Sequence, residues 1–299
     1  MDKKPVYKER SALTGMQVKE AMQMLVYRMP ESTPIASCVR TIIKMKSNII
    51  LVDDISGVPS GVVTKSDIMN AYYAGLPVET PLADIMMGPL LFCNPEDRIE
   101  DVIDIMQRDG IRRIFVCGED CSDVLGTLEY SDIVGLLYRY CRVCEKSKWK
   151  VANTVEINPL NLKVKDAMIE DTAACGEENV ISYVIEQLIA SRLGAALIYD
   201  EDLQPCGVIT KTDLSVAYLH GITPDQPAKT IMTNPVAHCS SGIMLTDAIQ
   251  QMYTLDIEQI FVGHPENKMI TGQLTISGAA QYRSGSCKAC IASLMLERL

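Results

Sequence analysis

Apolar residues recur along this chain with the spacing of helices that bury one face. The i, i+3, i+4, i+7 spacing occurs in two segments, Ile99, Val102, Ile103 and Met106, and Ile181, Val184, Ile185 and Leu188. Two short strand-like runs follow each predicted helix, at 112–117 and 124–128 and at 195–199 and 206–209. The pattern therefore predicts an α/β fold built from a recurring order of elements.

An internal repeat with a shift of 146 residues supports this prediction. Residues 61–67 read Gly-Val-Val-Thr-Lys-Ser-Asp, and residues 207–213 read Gly-Val-Ile-Thr-Lys-Thr-Asp. The same shift relates Met86 to Met232 and Gly126 to Gly272 without an insertion. Each half also contains a weaker repeat of roughly 60 residues, which is a typical length for one small structural unit. The chain is predicted to contain four such units.

A unit of this size cannot bury both faces of its sheet alone, so the units are expected to pair within each half. A stretch with Lys, Asn and Pro interrupts the periodic pattern and marks the boundary between the halves. The predicted organisation is an N-terminal extension at 1–16, units at 17–78 and 79–144, a linker at 145–162, units at 163–223 and 224–285, and a cysteine-containing helix at 286–299.

The duplicated seven-residue motif places polar side chains where a strand passes into a helix. A carboxylate in the first helical turn can accept hydrogen bonds from both hydroxyls of a ribose, while a Thr hydroxyl and the free N–H groups favour phosphate. These candidates are Asp67 and Asp213 for the ribose, Thr64 and Thr210 for the phosphate side, and Ser66 and Thr212 as nearby hydroxyl donors. The same spacing is also that of a capping box, in which these side chains only satisfy helix N–H groups.

The order of elements, together with the motif at 61–67 and 207–213, resembles the cystathionine β-synthase (CBS) domain family from about residue 17 to residue 285. The resemblance implies that two CBS repeats pair into a Bateman module that binds an adenosine-containing ligand such as AMP, ADP, ATP, NAD or S-adenosylmethionine. It further implies two modules stacked as a flat disk within one chain, related by a pseudo-twofold axis. By the same resemblance, the adenine would lie near residues 28–30 and 172–174.

The even-numbered units depart from this motif. At the equivalent junction, the second unit keeps an acid, Asp132, but has Glu129 in place of Thr, and a carboxylate there would repel phosphate. Asp132 therefore suits a neutral nucleoside or S-adenosylmethionine better. The fourth unit keeps Thr275 but has Gly278 where the acid is expected, so its site is predicted to be weak or empty.

Two C-x-x-C pairs form a second candidate site, and the shift of 146 residues relates them: Cys141 and Cys144, and Cys287 and Cys290. A pseudo-twofold axis close by would bring four thiolates together, as a tetrahedral zinc or iron–sulfur site requires. The alternatives are thiols packed as small apolar groups and a redox-active dithiol. The other cysteines of the eleven are expected to be reduced, with Cys93 and Cys239 in the core.

Charge and missing motifs narrow the class of protein. A net charge of −10 without a basic patch argues against nucleic acid and anionic membranes as partners. There is no apolar run that could span a bilayer and no signal sequence, which predicts a cytoplasmic protein. Neither a phosphate loop nor a nucleophile elbow occurs. We therefore expect a non-catalytic sensor that acts on a regulated partner protein, either as a monomeric disk or as a homodimer.

Overall fold

The computed structural model describes residues 15–119, 121, 123–136, 163–264 and 269–280. Within them, one arrangement occurs four times: a three-stranded sheet in which the first two strands are parallel and the third is antiparallel to the second. One helix connects the first two strands, and another follows the third strand. The predicted four-unit α/β organisation is confirmed.

The bounds of the elements are as follows. Unit 1 contains β1 Arg28–Pro30, α1 Ile35–Met45, β2 Ile49–Asp53, β3 Pro59–Thr64 and α2 Lys65–Tyr73. Unit 2 contains β4 Phe92–Cys93, α3 Ile99–Arg108, β5 Arg113–Cys117, β6 Val124–Glu129 and α4 at 130–136.

The second half repeats this order. A short helix, α5 Val164–Ala167, precedes unit 3, which contains β7 Ala173–Gly176, α6 Ile181–Ser191, β8 Ala195–Tyr199, β9 Pro205–Thr210 and α7 Lys211–Leu219. Unit 4 contains β10 His238–Ser240, α8 Leu245–Leu255, β11 Gln259–Gly263, β12 Ile270–Thr275 and α9 Ile276–Ala280.

The apolar periodicity sets which face of each helix is buried. Four apolar residues on α3 and four on α6 are predicted to face the core. Each of these eight residues has at most 1% of its surface exposed to solvent. Their removal from water is the main stabilising term for these helices. Cys93 and Cys239 lie on the first strands of units 2 and 4, where both are buried as predicted.

A short segment ahead of each unit, which we call its strap, crosses to the sheet of the paired unit. The straps cover residues 17–23, 82–87, 163–169 and 228–233, and each ends on a methionine and one further residue. That last residue forms an antiparallel bridge with the third strand of the neighbouring sheet, as between Gln23 and Thr127 and between Met87 and Val62. Paired units therefore exchange straps.

Sheets pair within each half, and helices pair between the halves. Leu51 of unit 1 packs with Phe115 and Val124 of unit 2, and Leu197 of unit 3 packs with Phe261 of unit 4. One helical core joins units 1 and 3, and a second joins units 2 and 4. The four units therefore close into a ring of two modules, which is the architecture expected of a flat disk.

Aromatic side chains mark the contact between α2 and α7. The rings of Tyr72 and Tyr218 stack with their centroids 5.1 Å apart. The Tyr72 hydroxyl donates to the Ile222 carbonyl at 2.7 Å, and the Tyr218 hydroxyl donates to the Leu76 carbonyl at 2.6 Å. This reciprocal pair of contacts lies on the pseudo-twofold axis that relates the two halves.

The expectation of reduced thiols is wrong for one pair of cysteines. The sulfurs of Cys117 and Cys121 are bonded to each other, at the hairpin between β5 and β6. Among the residues that the structure describes, five cysteines are free: Cys38, Cys93, Cys175, Cys206 and Cys239. Burial raises the pKa of the Cys38 and Cys93 thiols to about 12, so both are protonated at neutral pH.

Within the described ranges, no helix combines the length and the apolar character that crossing a bilayer requires.

Candidate functional site

The junction between β3 and α2 holds the first predicted site. Thr64 caps the helix, since its hydroxyl accepts from the Ser66 amide at 3.2 Å and from the Asp67 amide at 3.4 Å. Asp67 completes a capping box, in which its Oδ2 accepts from the Thr64 amide at 2.7 Å and from the Thr64 hydroxyl at 2.6 Å. Its other oxygen, Oδ1, accepts no hydrogen bond from the part of the chain that the structure describes. Capping thus uses one oxygen of Asp67 and leaves the second for a ligand.

The equivalent junction between β9 and α7 has the same capping box. Asp213 Oδ2 accepts from the Thr210 amide at 2.7 Å and from its hydroxyl at 2.6 Å. Here Oδ1 also has a partner, because the Thr233 hydroxyl donates to it at 3.1 Å. Thr212 follows in the first turn of α7 and is half-buried. A hydroxyl can turn away and donate elsewhere, so this site is lined by Thr233 rather than closed by it.

The junction of unit 2 is occupied by the protein itself. Asp132 Oδ2 accepts from the Glu129 amide at 2.8 Å, and Oδ1 accepts from the Gln23 side-chain amide at 2.6 Å. Burial raises the pKa of Asp132 to about 6, although Gln23 and Arg113 both favour its charged form. Glu129 forms an ion pair with Arg113, so the negative charge predicted to repel phosphate is compensated.

The junction of unit 4 has no carboxylate to offer. Gly278 takes the position of the acid, and its amide donates to the Thr275 hydroxyl at 3.0 Å. Ser277 lies beside the same hydroxyl, with 3.1 Å between the two oxygens. The cap is retained without the acceptor that a ribose would need.

The lysines of two junctions, Lys65 and Lys211, both lie within electrostatic range of Glu258 in unit 4. Lys211 donates to the Ser66 hydroxyl at 2.8 Å and so connects the junctions of units 1 and 3. Burial, together with the charge of Arg112, lowers the pKa of Lys211 to about 8, although Asp67 and Glu258 favour its charged form. Burial also lowers the pKa of Lys65. A desolvated ammonium group of this kind gains stability when an anion binds beside it.

The sequence analysis did not identify this basic cluster, although both lysines lie inside the duplicated motif. Its members come from separate units, so no continuous basic patch is visible along the chain. Contacts across the ring bring the units together at this point, as Asn48 donates to Glu258 and Arg112 donates to the Arg192 carbonyl at 3.5 Å. The sequence signal for this cluster was the lysine that occurs at the same position of both motifs, Lys65 and Lys211.

The residues expected to hold adenine lie on or next to the first strands of units 1 and 3, where Arg28 and Ala174 occupy equivalent positions, opposite Leu51 and Leu197. Arg28 pairs with Asp53 at 2.9 Å, at the end of β2 opposite to the residue that pairs with Thr64. In unit 3, Ala173 pairs with Ala196, next to the residue opposite Thr210. In the register of the repeat, the segment 172–174 thus ends at the position where the segment 28–30 begins, and the Arg28 side chain is held by Asp53 at the far end of β2.

The second candidate site, Cys141, Cys144, Cys287 and Cys290, lies outside the described residues. Among the residues that are described, no group of His, Cys, Asp and Glu side chains could hold a metal ion. A zinc or iron–sulfur site at the four cysteines stays a prediction.

Comparison with known proteins identifies the class of protein. The family model described as the CBS domain matches residues 82–139 and 164–220, in units 2 and 3. Units 2 and 3 are therefore CBS domains, and units 1 and 4 are repeats of the same topology.

Two archaeal proteins have a similar fold over most of this chain. The uncharacterized protein MJ1225 of Methanocaldococcus jannaschii is 24% identical over 214 residues, which cover 69% of this chain and 72% of that protein. The MJ1225 crystal structure gives a TM-score of 0.72 at 16% identity and covers 89% of this chain and 99% of its own. An uncharacterized conserved protein of Pyrococcus horikoshii gives a TM-score of 0.57, also at 16% identity, with the same coverage. These similarities concern the fold.

Proposed function

We propose that this protein is a non-catalytic sensor that binds an adenosine-containing ligand at repeats 1 and 3 and reports its presence to a partner protein. The observation that carries the proposal is the junction of repeat 1. There, Asp67 keeps one carboxylate oxygen without a hydrogen-bond partner in the described structure, and a lysine from the opposite repeat lies next to the same turn.

The chemistry of this junction suits a nucleotide. A carboxylate oxygen has two lone pairs and can accept from both hydroxyls of a ribose. The partly desolvated Lys211, which donates to Ser66 in the same helical turn as Asp67, would then be available to a phosphate attached to that ribose. The ligands expected for the family are AMP, ADP and ATP, with NAD and S-adenosylmethionine as further adenosine-containing forms.

Signalling would arise from the exchanged straps. A ligand held between a junction and a strap contacts two repeats at once, so it can favour one arrangement of the pair over another. Such a preference is what a ligand needs in order to shift a conformational equilibrium. The partner would then read the altered surface of the ring.

Calorimetry with AMP, ADP, ATP, NAD and S-adenosylmethionine tests the proposal. We expect Asp67→Ala to weaken binding at repeat 1 by about 10- to 100-fold, because hydrogen bonds to a charged group contribute about 1.5–3 kcal/mol. Asp213→Ala should weaken the second site similarly. Thermal unfolding of each variant separates this effect from loss of the helix cap.

Asp202→Ala is the matched control. It removes the same charge from an exposed turn of unit 3 that is not part of either junction, so it should leave the affinity unchanged. If the wild-type protein takes up none of the five ligands, the proposed function is wrong. If Asp67→Ala and Asp213→Ala bind them as tightly as wild type, the assignment of the two carboxylates is wrong.

A further inference from the structure

The last residue of each strap lies beside the junction of the paired repeat, and it differs in all four. These residues are Met87 at junction 1, Gln23 at junction 2, Thr233 at junction 3 and Ile169 at junction 4. Met87 cannot donate a hydrogen bond to Asp67, because its thioether side chain carries no donor. The side-chain amide of Gln23 donates a hydrogen bond to Asp132 at 2.6 Å, and the hydroxyl of Thr233 donates one to Asp213 at 3.1 Å.

Backbone contacts hold Gln23 in this position. Its amide donates to the Thr127 carbonyl at 2.8 Å, and the Thr127 amide donates back to the Gln23 carbonyl at 2.9 Å. The strap lies so close to β6 that a Cβ added to Gly126 would be 2.4 Å from the Gln23 carbonyl oxygen. The side chain therefore starts from a fixed point within reach of Asp132.

The Gln23 amide takes the acceptor that a ribose would need. In repeat 2, the cap uses Asp132 Oδ2 and Gln23 uses Oδ1, so both oxygens have a partner. In repeat 1, the cap uses the same oxygen of Asp67, and the residue in the place of Gln23 is apolar. The two junctions thus differ chiefly in the side chain that the strap presents.

We propose that Gln23 is a built-in occupant of the ribose position in repeat 2 and keeps that site closed to adenosine-containing ligands. This inference rests on the proposed function, because it assumes that the junction carboxylates of this chain recognise a ribose. A ligand entering repeat 2 must first break the hydrogen bond between an amide and a carboxylate, which a ligand entering repeat 1 does not. The strap residue, rather than the junction acid alone, then decides which repeats bind.

The test compares the number of adenosine molecules bound per chain. Adenosine is the probe because it presents the ribose without a phosphate next to Glu129. Gln23→Met gives the strap at the junction of repeat 2 the side chain found at the junction of repeat 1, and Gln23→Ala removes the amide altogether. Gln23 is exposed, so neither change leaves a cavity, and thermal unfolding verifies that the variants are folded.

We expect both variants to bind one more equivalent of adenosine than the wild-type protein. The added Asp132→Ala substitution should abolish this extra equivalent. Ile169→Ala, which changes the same strap position beside a junction without a carboxylate, should leave the stoichiometry unchanged.

A stoichiometry equal to wild type in both Gln23 variants overturns the inference, whatever the wild-type protein binds. Nucleotide binding by the wild type that depends on Asp67 and Asp213 would leave the proposed function standing in that case. An extra equivalent that persists after Asp132→Ala also overturns the inference, since the new site would lie elsewhere.

Discussion

At the scale of single residues, the protonation of Lys211 would link the proposed ligand binding to pH. Burial lowers its pKa from 10.5 in the unfolded chain to about 8, so the folded protein releases this proton more readily than the unfolded one. The resulting cost to stability is fully present below about pH 8 and disappears as the pH rises towards 10.5. A bound phosphate would reverse the shift, because it favours the charged ammonium group.

We therefore expect AMP binding to take up a proton at and above pH 8, and its affinity to fall as the pH rises from there. Calorimetry in two buffers with different ionisation enthalpies measures the uptake directly. Lys211→Arg is the control, since a guanidinium stays protonated in this range and should abolish the uptake. Binding without proton uptake in the wild-type protein would place the phosphate away from Lys211.

Single residues also show how far sequence reasoning can predict the site. The acids Asp67 and Asp213 could be proposed from the sequence because a strand-to-helix junction is local and its motif is duplicated. The contact of Gln23 with Asp132 joins residues 109 positions apart, and that of Lys211 with Ser66 joins residues 145 apart. No spacing rule predicts such pairs, because they depend on how the strap crosses and how the halves dock.

At the scale of elements, the four straps explain a glycine in each third strand. The strap runs over Gly61, Gly126, Gly207 and Gly272, where a side chain would collide with it. At Gly126 and Gly272, the nearest atoms are the backbone oxygens of Gln23 and Ile169, at 2.4 and 2.3 Å from an added Cβ. At Gly61, the nearest atom is the Met86 sulfur, 2.9 Å away, at the end of a flexible side chain.

Gly126→Ala should consequently cost more stability than Gly61→Ala. Forcing a methyl group against the backbone of a strap should lower the free energy of unfolding by about 1–3 kcal/mol, the usual range for overpacking. The loss at Gly61 should be smaller, because Met86 can change rotamer. Urea unfolding of the two variants measures the difference. Equal losses would mean that the strap yields as easily as a methionine side chain.

The order of elements was predictable, whereas the exchange of straps was not. Apolar spacing located α3 and α6, because the side chains that face the core are set by helical geometry. Each strap carries only three or four residues of helix, and its pairing partner lies in another repeat. Short segments of this kind have no periodicity from which a partner could be inferred.

At the scale of the whole molecule, the two modules depend on each other for their cores. Ile42 and Ile68 of repeat 1 belong to the same core as Ile185 and Leu214 of repeat 3. The other helical core joins repeats 2 and 4 in the same way. An isolated half would therefore expose the apolar helix faces that the full chain buries.

We expect a fragment of residues 1–144 to self-associate when it is expressed alone. A second copy can cover the exposed helices through a twofold interface that imitates the pseudo-twofold contact, including the stacking now made by Tyr72 and Tyr218. Analytical ultracentrifugation would then give a dimer, and Tyr72→Asp should weaken it by placing a charge in the interface. A stable, folded monomer of the fragment would show that each module supports its own core.

The exchange of straps has a thermodynamic consequence for a protein with several binding positions. The residue that borders the acid of repeat 1 is covalently part of repeat 2, and the reverse holds for Gln23. A ligand that shifts one strap on binding must alter the binding free energy at the neighbouring junction. The effect of the second junction on the first is equal in size. Under the proposed function, repeats 1 and 2 would for this reason form a coupled pair, in which an empty position tunes the affinity of a filled one.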